Sequence, residues 1–576
     1  MEPWIVGSNP SKRYPLWTRA NVGEVFPDPV APLTFTAFMW EHTEGAWRDA
    51  LVKLGAFTHD EFAPGEMETL GVFGGYCYLN AAVTRILGER GPGLSAQMMD
   101  DLFFGAQPGI PPYEPAPGDQ NEERTAAIGQ TFQWVMTTDR LDMPIESAKV
   151  ADEVRAKRPN FEAMSNQELW EYARSLYINY LRRFFSEHIY ITFLSTVPVG
   201  ALTQICAAVG RPEDAMRLIS GVGDVESAAP SMAMWRLGRM VAESPALSAE
   251  FDKGIEGLPA RLKALPAASA FNKAFEQFLY DFGSRGPNEW EIRSNTWETK
   301  PELALAAIDR MRLASPEADP AARNRYMAEE RQRIAGEISA MLAGDPETQG
   351  MFQAAARSAV LFQAGRERTK TNNVKIIQEA RMAMYTVGRR LVEQGLCDEV
   401  ADFGLVKAEE MEEWLKDPRP FRQEITRRRD LMALYSSLQE PFVFWGEIPP
   451  VETWGRKGEA AIEPVKPGDV LQGFQGCPGT VTGVARVVLD PIDPTALEPG
   501  DILVAPITDP SWTPLFVSAG GVVVDVGAAQ SHAMIVSREL GIPCVPSVTN
   551  ATKRIPNGAT ITVNGDAGTV TIVSVP

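Results

Sequence analysis

DILVAPITDPSWTPLFVSAGGVVVDVGAAQSHAMIVSRELGIPCV, residues 501–545, is the stretch on which the reading of the C-terminal fold turns. Short β-prone runs at Asp501–Ala505 and Gly521–Val526 alternate with turn residues and lead into one helical segment, SHAMIVSREL. Gly541 suits a left-handed C-cap for that helix, and Pro543 blocks its continuation. Further β-like runs at Thr480–Leu489, Thr560–Val563 and Thr569–Val573 flank the stretch, so a compact β/α domain is expected over 471–576.

The chain has four histidines, His42, His59, His188 and His532, and His532 alone sits in a setting suited to nucleophilic work. It follows the small-residue turn Gly527-Ala528-Ala529-Gln530-Ser531 and begins the helix that Gly541 closes. At a helix start, free backbone amides and the macrodipole favour an anion and disfavour imidazolium. The ring there stays neutral and nucleophilic while the amides cradle a phosphate. Ser531 is placed to bond the ring or a phosphate oxygen, or to act as the N-cap. Taken by itself, a histidine near a helix start is more often a cap or a satisfied polar residue.

The surrounding motifs change that balance. Asp509-Pro510-Ser511-Trp512-Thr513-Pro514, Ser531-His532 and Arg538-Glu539-Leu540-Gly541-Ile542-Pro543 resemble the phosphohistidine swivel domain of the phosphoenolpyruvate-utilising enzymes. The resemblance implies that His532 takes up a phosphoryl group and hands it to a second substrate. One departure is Ala528, which stands where the family has the second glycine of a G-G pair. Trp17–Thr34 looks like the opening of the substrate-binding region of rifampicin phosphotransferase-like proteins. Gly283-Ser284-Arg285-Gly286-Pro287-Asn288-Glu289 resembles the family's G-H-R-x-P-x-E segment with Ser284 in place of the histidine. Arg285 and Glu289 are substrate-site candidates, or a structural ion pair. Arg366-Glu367-Arg368-Thr369-Lys370 resembles the R-E-x-x-R/K segment. Arg366 and Lys370 lie one helical turn apart, as two cations clamping the transferring phosphate, with Glu367 as base toward the acceptor or as an orienting group.

Outward from these motifs, residues 1–60 lack sustained helical period and read as an N-terminal arm of the substrate domain. Residues 61–445 read as a mostly helical acceptor-binding domain. The capping box Ser165–Glu168 opens one helix, Pro320 starts another, and residues 353–394 carry a third that is broken only near Thr369–Asn373. Phe184, Phe185, Tyr190, Phe193 and Trp235 are candidates for an aromatic pocket, although residues at helical spacing are more often plain core. Residues 446–470 collect Pro, Gly and charge as a linker does. The fold expected is multidomain: a mostly α-helical substrate-binding domain plus a C-terminal β/α phosphohistidine swivel domain.

The net charge of −20 disfavours nucleic acid and anionic membranes as partners. Five scattered cysteines form no C-x-x-C pair, so neither a metal site nor a disulfide framework is expected. No leader is apparent, and no run of about 20 uninterrupted apolar residues suggests a membrane helix, so a cytoplasmic protein is expected.

No Walker A motif is present, and Gly71-Val72-Phe73-Gly74-Gly75 reads as a packing turn. The resemblance implies that ATP, with Mg2+, is bound on a separate ATP-grasp subunit. The resemblance extends to the histidine-bearing subunits of phenylphosphate and 4-cresol phosphate synthases. It implies a dikinase-type reaction giving AMP and phosphate, with a small hydroxylated acceptor such as a phenol or cresol. The alternatives are a non-catalytic binding or regulatory partner derived from such an enzyme, and a phosphoenolpyruvate or pyruvate phosphotransferase.

Overall fold

The computed structural model describes all residues except 1–2, 105–108, 223–225, 227–228, 458–464, 490, 492–496, 510–511 and 528–530. Ala528, Pro510, Ser511 and the middle of the 446–470 segment lie outside the described residues.

A four-stranded antiparallel sheet ties together distant parts of the chain. Its strands β1 (Leu16–Thr18), β2 (Leu70–Phe73), β3 (Tyr76–Asn80) and β4 (Val443–Trp445) run in the order β2-β3-β1-β4. Gly74 and Gly75, both at positive φ, form the two-residue hairpin between β2 and β3, and Trp454 and Trp4 pack on them. The glycine-rich stretch is thus a packing turn. The segment after β4 is not wholly a free linker, because buried Trp454 joins the core of Trp17, Tyr76 and Tyr435.

Eleven helices build the rest of the site: α1 (Val22–Val25), α2 (Glu44–Leu54), α3 (Asp142–Ala156), α4 (Asn166–Leu176), α5 (Arg182–Ala208), α6 (Ala229–Ala242), α7 (Glu302–Leu313), α8 (Pro320–Met341), α9 (Pro346–Glu393), α10 (Thr513–Ser518) and α11 (His532–Leu540). The first sixty residues depart from the expected arm, since a π-helical stretch, Thr34–Thr43, runs directly into α2. Its apolar residues Phe35, Phe38, Met39 and Trp47 enter the main core. The aromatics there pack on α5 rather than on a regular amphipathic stripe, which hid the helix from a period search.

The third long helix is also unbroken. α9 spans 48 residues, roughly 70 Å at 1.5 Å per residue. At the expected break, Thr369 Oγ1 donates to the Arg366 carbonyl at 2.9 Å, and Asn373 Nδ2 donates to the carbonyls of Thr369 at 2.9 Å and Phe184 at 3.0 Å. These polar side chains bond the helix's own carbonyls and a neighbour's, so they do not interrupt it. The continuous helical run Asn166–Ala208 contains a window with a mean hydropathy of 1.5, long and apolar enough to cross a membrane by composition. Here many of its apolar residues, Leu169, Phe184, Ile191 and Leu194 among them, pack into the main core.

The C-terminal domain is a seven-stranded mixed sheet of β5 (Val470–Gln472), β6 (Thr480–Val487), β7 (Ile502–Ala505), β8 (Gly521–Val524), β9 (Cys544–Val545), β10 (Thr560–Asn564) and β11 (Thr569–Ser574), in the order β5-β11-β10-β6-β7-β8-β9. β6 to β9 pair in parallel, and β7 and β8 are buried on both faces, which accounts for the uninterrupted valines of GVVV. One face of this sheet closes on its own core of Ile502, Val523 and Ile561. The other carries α10 and α11 and shares a core with α6 and α7, where Phe516 and Met534 join Met234, Leu237 and Met311.

Gly541 ends α11 at φ 62°, and a Cβ there falls 2.8 Å from Met327 Sδ on α8. Gly541→Ala is expected to destabilise the protein by about 1–2 kcal/mol from the left-handed backbone alone, with a further cost from moving Met327. Denaturant unfolding checks this, and an unchanged midpoint refutes it.

Candidate active site

Ser531 takes an extended conformation (φ −69°, ψ 158°) and its Oγ accepts from the Met534 amide at 3.5 Å, so it is the N-cap. The His532 amide, one of the donors a helix start leaves unbonded, donates to Glu24 Oε2 on α1 at 3.1 Å. The ring is held from both nitrogens, Nδ1 lying 3.0 Å from Thr508 Oγ1 and Nε2 3.3 Å from Thr513 Oγ1. Phe516 meets it edge-on at 5.9 Å. Burial, with Lys370 and Arg285 nearby, holds the imidazole well below its ordinary pKa, so the ring is neutral in the docked position.

α9 supplies the opposite wall. Arg366, Glu367 and Lys370 share one cavity of about 120 Å³ with His532, Ser531 and Glu289. Arg366 Nη1 lies 3.1 Å from Glu367 Oε1, and Lys370 Nζ lies 3.6 Å from Glu289 Oε1. Arg285 stands behind Glu289 at 2.8 Å, 3.3 Å from Thr371 Oγ1, and belongs to a separate polar cavity with Ser284, Lys375 and Glu379. Of the two substrate-site candidates, then, Glu289 reaches the His532 cavity and Arg285 does not. Both are buried, and their contact is the ion pair foreseen as the alternative. Asn288, at φ 49°, presents its amide to Asp509 Oδ2 at 3.3 Å, so the loop of residues 283–289 also docks the C-terminal domain. Glu539 adds a second contact, accepting from Asn324 Nδ2 of α8 at 3.0 Å and from the Val222 amide at 3.1 Å.

Aromatic walls close the cavity through Trp47, Phe103, Phe193 and Trp290. Among the five aromatic candidates, Phe193 lines it. Phe184, Phe185 and Tyr190 lie in the main core and Trp235 in the core shared with the C-terminal domain. Two residues escaped the sequence reading. Glu24 gives no motif, and its role depends on a fold that brings residue 24 to residue 532. The sequence passes over His188, since His532 alone sits in a setting suited to nucleophilic work, yet His188 lines the cavity with Nδ1 3.1 Å from Thr369 Oγ1. Burial, followed by the charge of Arg366, lowers its pKa to about 3. Thr508 and Thr513 were legible in the motif around Asp509, but nothing there assigned them to the ring.

The carboxylates of this cavity do not suit a magnesium ion. Glu289 and Glu367 each face cations, and Glu24 accepts from the His532 amide. Among the described residues no group of three or more His, Cys, Asp or Glu is arranged to hold a metal. What the site offers is a neutral imidazole at a helix start, two cations across from it, and a cavity walled in part by aromatic side chains.

A β/α domain presenting a histidine at a helix start to a helical substrate region is the architecture of a phosphohistidine carrier. Two family comparisons agree: residues 497–568 match the mobile domain of PEP-utilising enzymes, and residues 187–367 match the rifampicin phosphotransferase fourth domain. The chain thus carries the mobile domain of the phosphoenolpyruvate-utilising enzymes. Among characterised relatives, it is 30% identical over 369 residues to the prodigiosin synthesizing transferase PigC of Serratia marcescens, covering 62% of this chain and 40% of that protein. It is 30% identical to the rifampicin phosphotransferases of Streptomyces sviceus, over 327 residues, and Bacillus subtilis, over 320 residues. Each match covers 54% of this chain and 36% of the relative. The chain therefore spans about two fifths of the length of these relatives.

Burial raises Glu24 from 4.5 to about 7, against the lowering effect of the His532 amide, Arg366 and Lys370. A C-terminal domain that undocks would leave Glu24 solvated near 4.5, so docking would take up a proton between these values. Docking is expected to be tightest at the acid end of the window and to weaken as pH rises through 7. Glu24→Gln should flatten the dependence. Hydrogen exchange of the α11 amides against pH reads it, and protection that grows with pH contradicts it.

Proposed function

We propose that this chain is the acceptor-side component of an ATP-dependent phosphotransferase, passing a phosphoryl group from His532 to the hydroxyl of a small aromatic acceptor, a phenol or cresol. The observation that carries this reading is the single cavity joining His532, Arg366, Glu367 and Lys370 to a wall of Trp47, Phe103, Phe193 and Trp290. A chamber of about 120 Å³ is of the order that holds one benzene-sized ring. It favours a single substituted ring over a polycyclic acceptor.

In this reading ATP, with its Mg2+, is bound on an ATP-grasp subunit, which phosphorylates His532 and releases AMP and phosphate. The support is the likeness of the motifs to histidine-bearing subunits of that type. The docked position described above is the discharge position: Arg366 and Lys370 neutralise the phosphoryl oxygens, Thr508 and Thr513 keep the ring oriented, and the apolar walls keep water from competing with the acceptor. Arg285 acts through Glu289, whose carboxylate it holds beside Lys370. Glu367 orients Arg366.

With radiolabelled ATP and the ATP-grasp subunit, the label is expected on His532, and His532→Ala should abolish both labelling and turnover. Labelling at another residue, or turnover by His532→Ala, refutes the reading. Arg366→Ala and Lys370→Ala should still load but discharge roughly a hundredfold more slowly, so phosphohistidine accumulates. Rapid-quench measurement with 4-cresol separates the two steps, and wild-type discharge in both variants removes these cations from the mechanism.

A further inference from the structure

The identity of the group that receives the acceptor's proton follows from a hydrogen-bond count around His188. Thr369 Oγ1 has one proton, and it donates that proton to the Arg366 carbonyl at 2.9 Å. With its proton on that carbonyl, the same hydroxyl accepts in its 3.1 Å contact with His188 Nδ1, and we assign the ring proton to Nδ1 on this basis. Nε2 is the lone-pair nitrogen. It makes no side-chain hydrogen bond among the described residues, and its ring lines the cavity. Trp290, at 6.0 Å and 31° to the ring, and Phe185, at 6.3 Å, fix its plane.

The carboxylates around the cavity are each engaged by a donor or cation. Glu367 faces Arg366, Glu289 faces Arg285 and Lys370, Glu24 accepts from the His532 amide, and Asp509 accepts from the Asn288 amide. Glu24, which burial raises to about 7, is held by the His532 amide. His188 is the neutral base facing the same space, with its other nitrogen anchored, an arrangement in which one partner orients the ring and the free nitrogen works.

Resting on the phosphotransfer reading above, we propose that His188 Nε2 is the catalytic base that deprotonates the acceptor hydroxyl. As the acceptor oxygen bonds to phosphorus, the hydroxyl proton passes to His188 Nε2. The P–N bond to His532 breaks, and its electron pair returns to the ring nitrogen. His532, protonated at its other nitrogen while phosphorylated, leaves as neutral imidazole. His188 then releases its proton to solvent. Burial first, and then the charge of Arg366, lowers its basicity in the empty site; Arg366, Glu367 and Lys370 are the charged groups facing the ring, and the anionic phosphoryl group entering beside them offsets the cationic part.

The test compares phenol with 4-nitrophenol, which is already largely ionised in mildly alkaline buffer and needs no base. The full chain is phosphorylated on His532 with phosphoramidate and mixed with each acceptor. His188→Gln is expected to slow discharge to phenol by roughly a hundredfold while leaving discharge to 4-nitrophenol within a few-fold of wild type. Equal losses on both acceptors, or no loss on phenol, overturn the assignment. If wild type discharges to neither, the phenolic acceptor fails, and the base is judged separately by histidine-selective ¹⁵N NMR, which four histidines make tractable. The expected signal at neutral pH is a His188 ring protonated on Nδ1 alone, and a proton on Nε2 overturns the proposal.

Discussion

The structure around the site depends on one constraint: the first turn of α11 must face α9 across a single cavity. A histidine at that position keeps its amide and ring in fixed geometry only if the whole turn is immobilised. Ser531 caps the helix, Glu24 binds the first amide, and the two threonines hold the ring nitrogens. Gly541 lets the same helix stop within nine residues, so that its other end rests on α8. The parallel strands β7 and β8 aim the loops on which Thr508 and the turn into α11 sit.

α9 answers that requirement from the other side. A helix of 48 residues packed on α3, α4 and α5 is a rigid rail, and it places Arg366, Thr369 and Lys370 on successive turns without a loop between them. Buried ion pairs such as Arg285–Glu289 contribute little net stability, because desolvation offsets their attraction. Their use here is positional. The acidic residues hold the cations in place, and in the proposed reaction the arrival of a phosphoryl group changes the balance of charge rather than the shape of the wall.

Local chemistry was readable from the sequence where one motif contained all its partners. His532, Ser531 and Gly541 fall within a few turns of each other, so cap and helix end could be assigned from spacing, while the nucleophilic role of His532 rested on the resemblance of the surrounding motifs. The capping box at Ser165 formed as read, with the Glu168 amide donating to Ser165 Oγ at 3.2 Å. Pairings across hundreds of residues were not readable. Glu24 meets His532 only because β1, just ahead of α1, is clamped between β3 and β4, whose residues come from opposite ends of the helical region. His188 carries no periodic signal, and its significance lies in Thr369 on another helix. The helical content of Thr34–Leu54 was lost to aromatic composition, and the break expected at Thr369–Asn373 ignored the capacity of those side chains to bond helix carbonyls.

The core that α10 and α11 share with α6 and α7 has a thermal consequence. Phe516, Met534 and Leu540 lie in one apolar cluster with Met234, Leu237 and Met311, so any excursion of the C-terminal domain from this position wets part of that surface. Hydration of apolar surface carries a positive heat capacity, and the equilibrium between seated and travelling domain must therefore curve with temperature. Seating is firmest at an intermediate temperature and loosens on cooling as well as on heating. A carrier built this way has its traffic set by the same solvent physics that governs cold denaturation, scaled down to one interface.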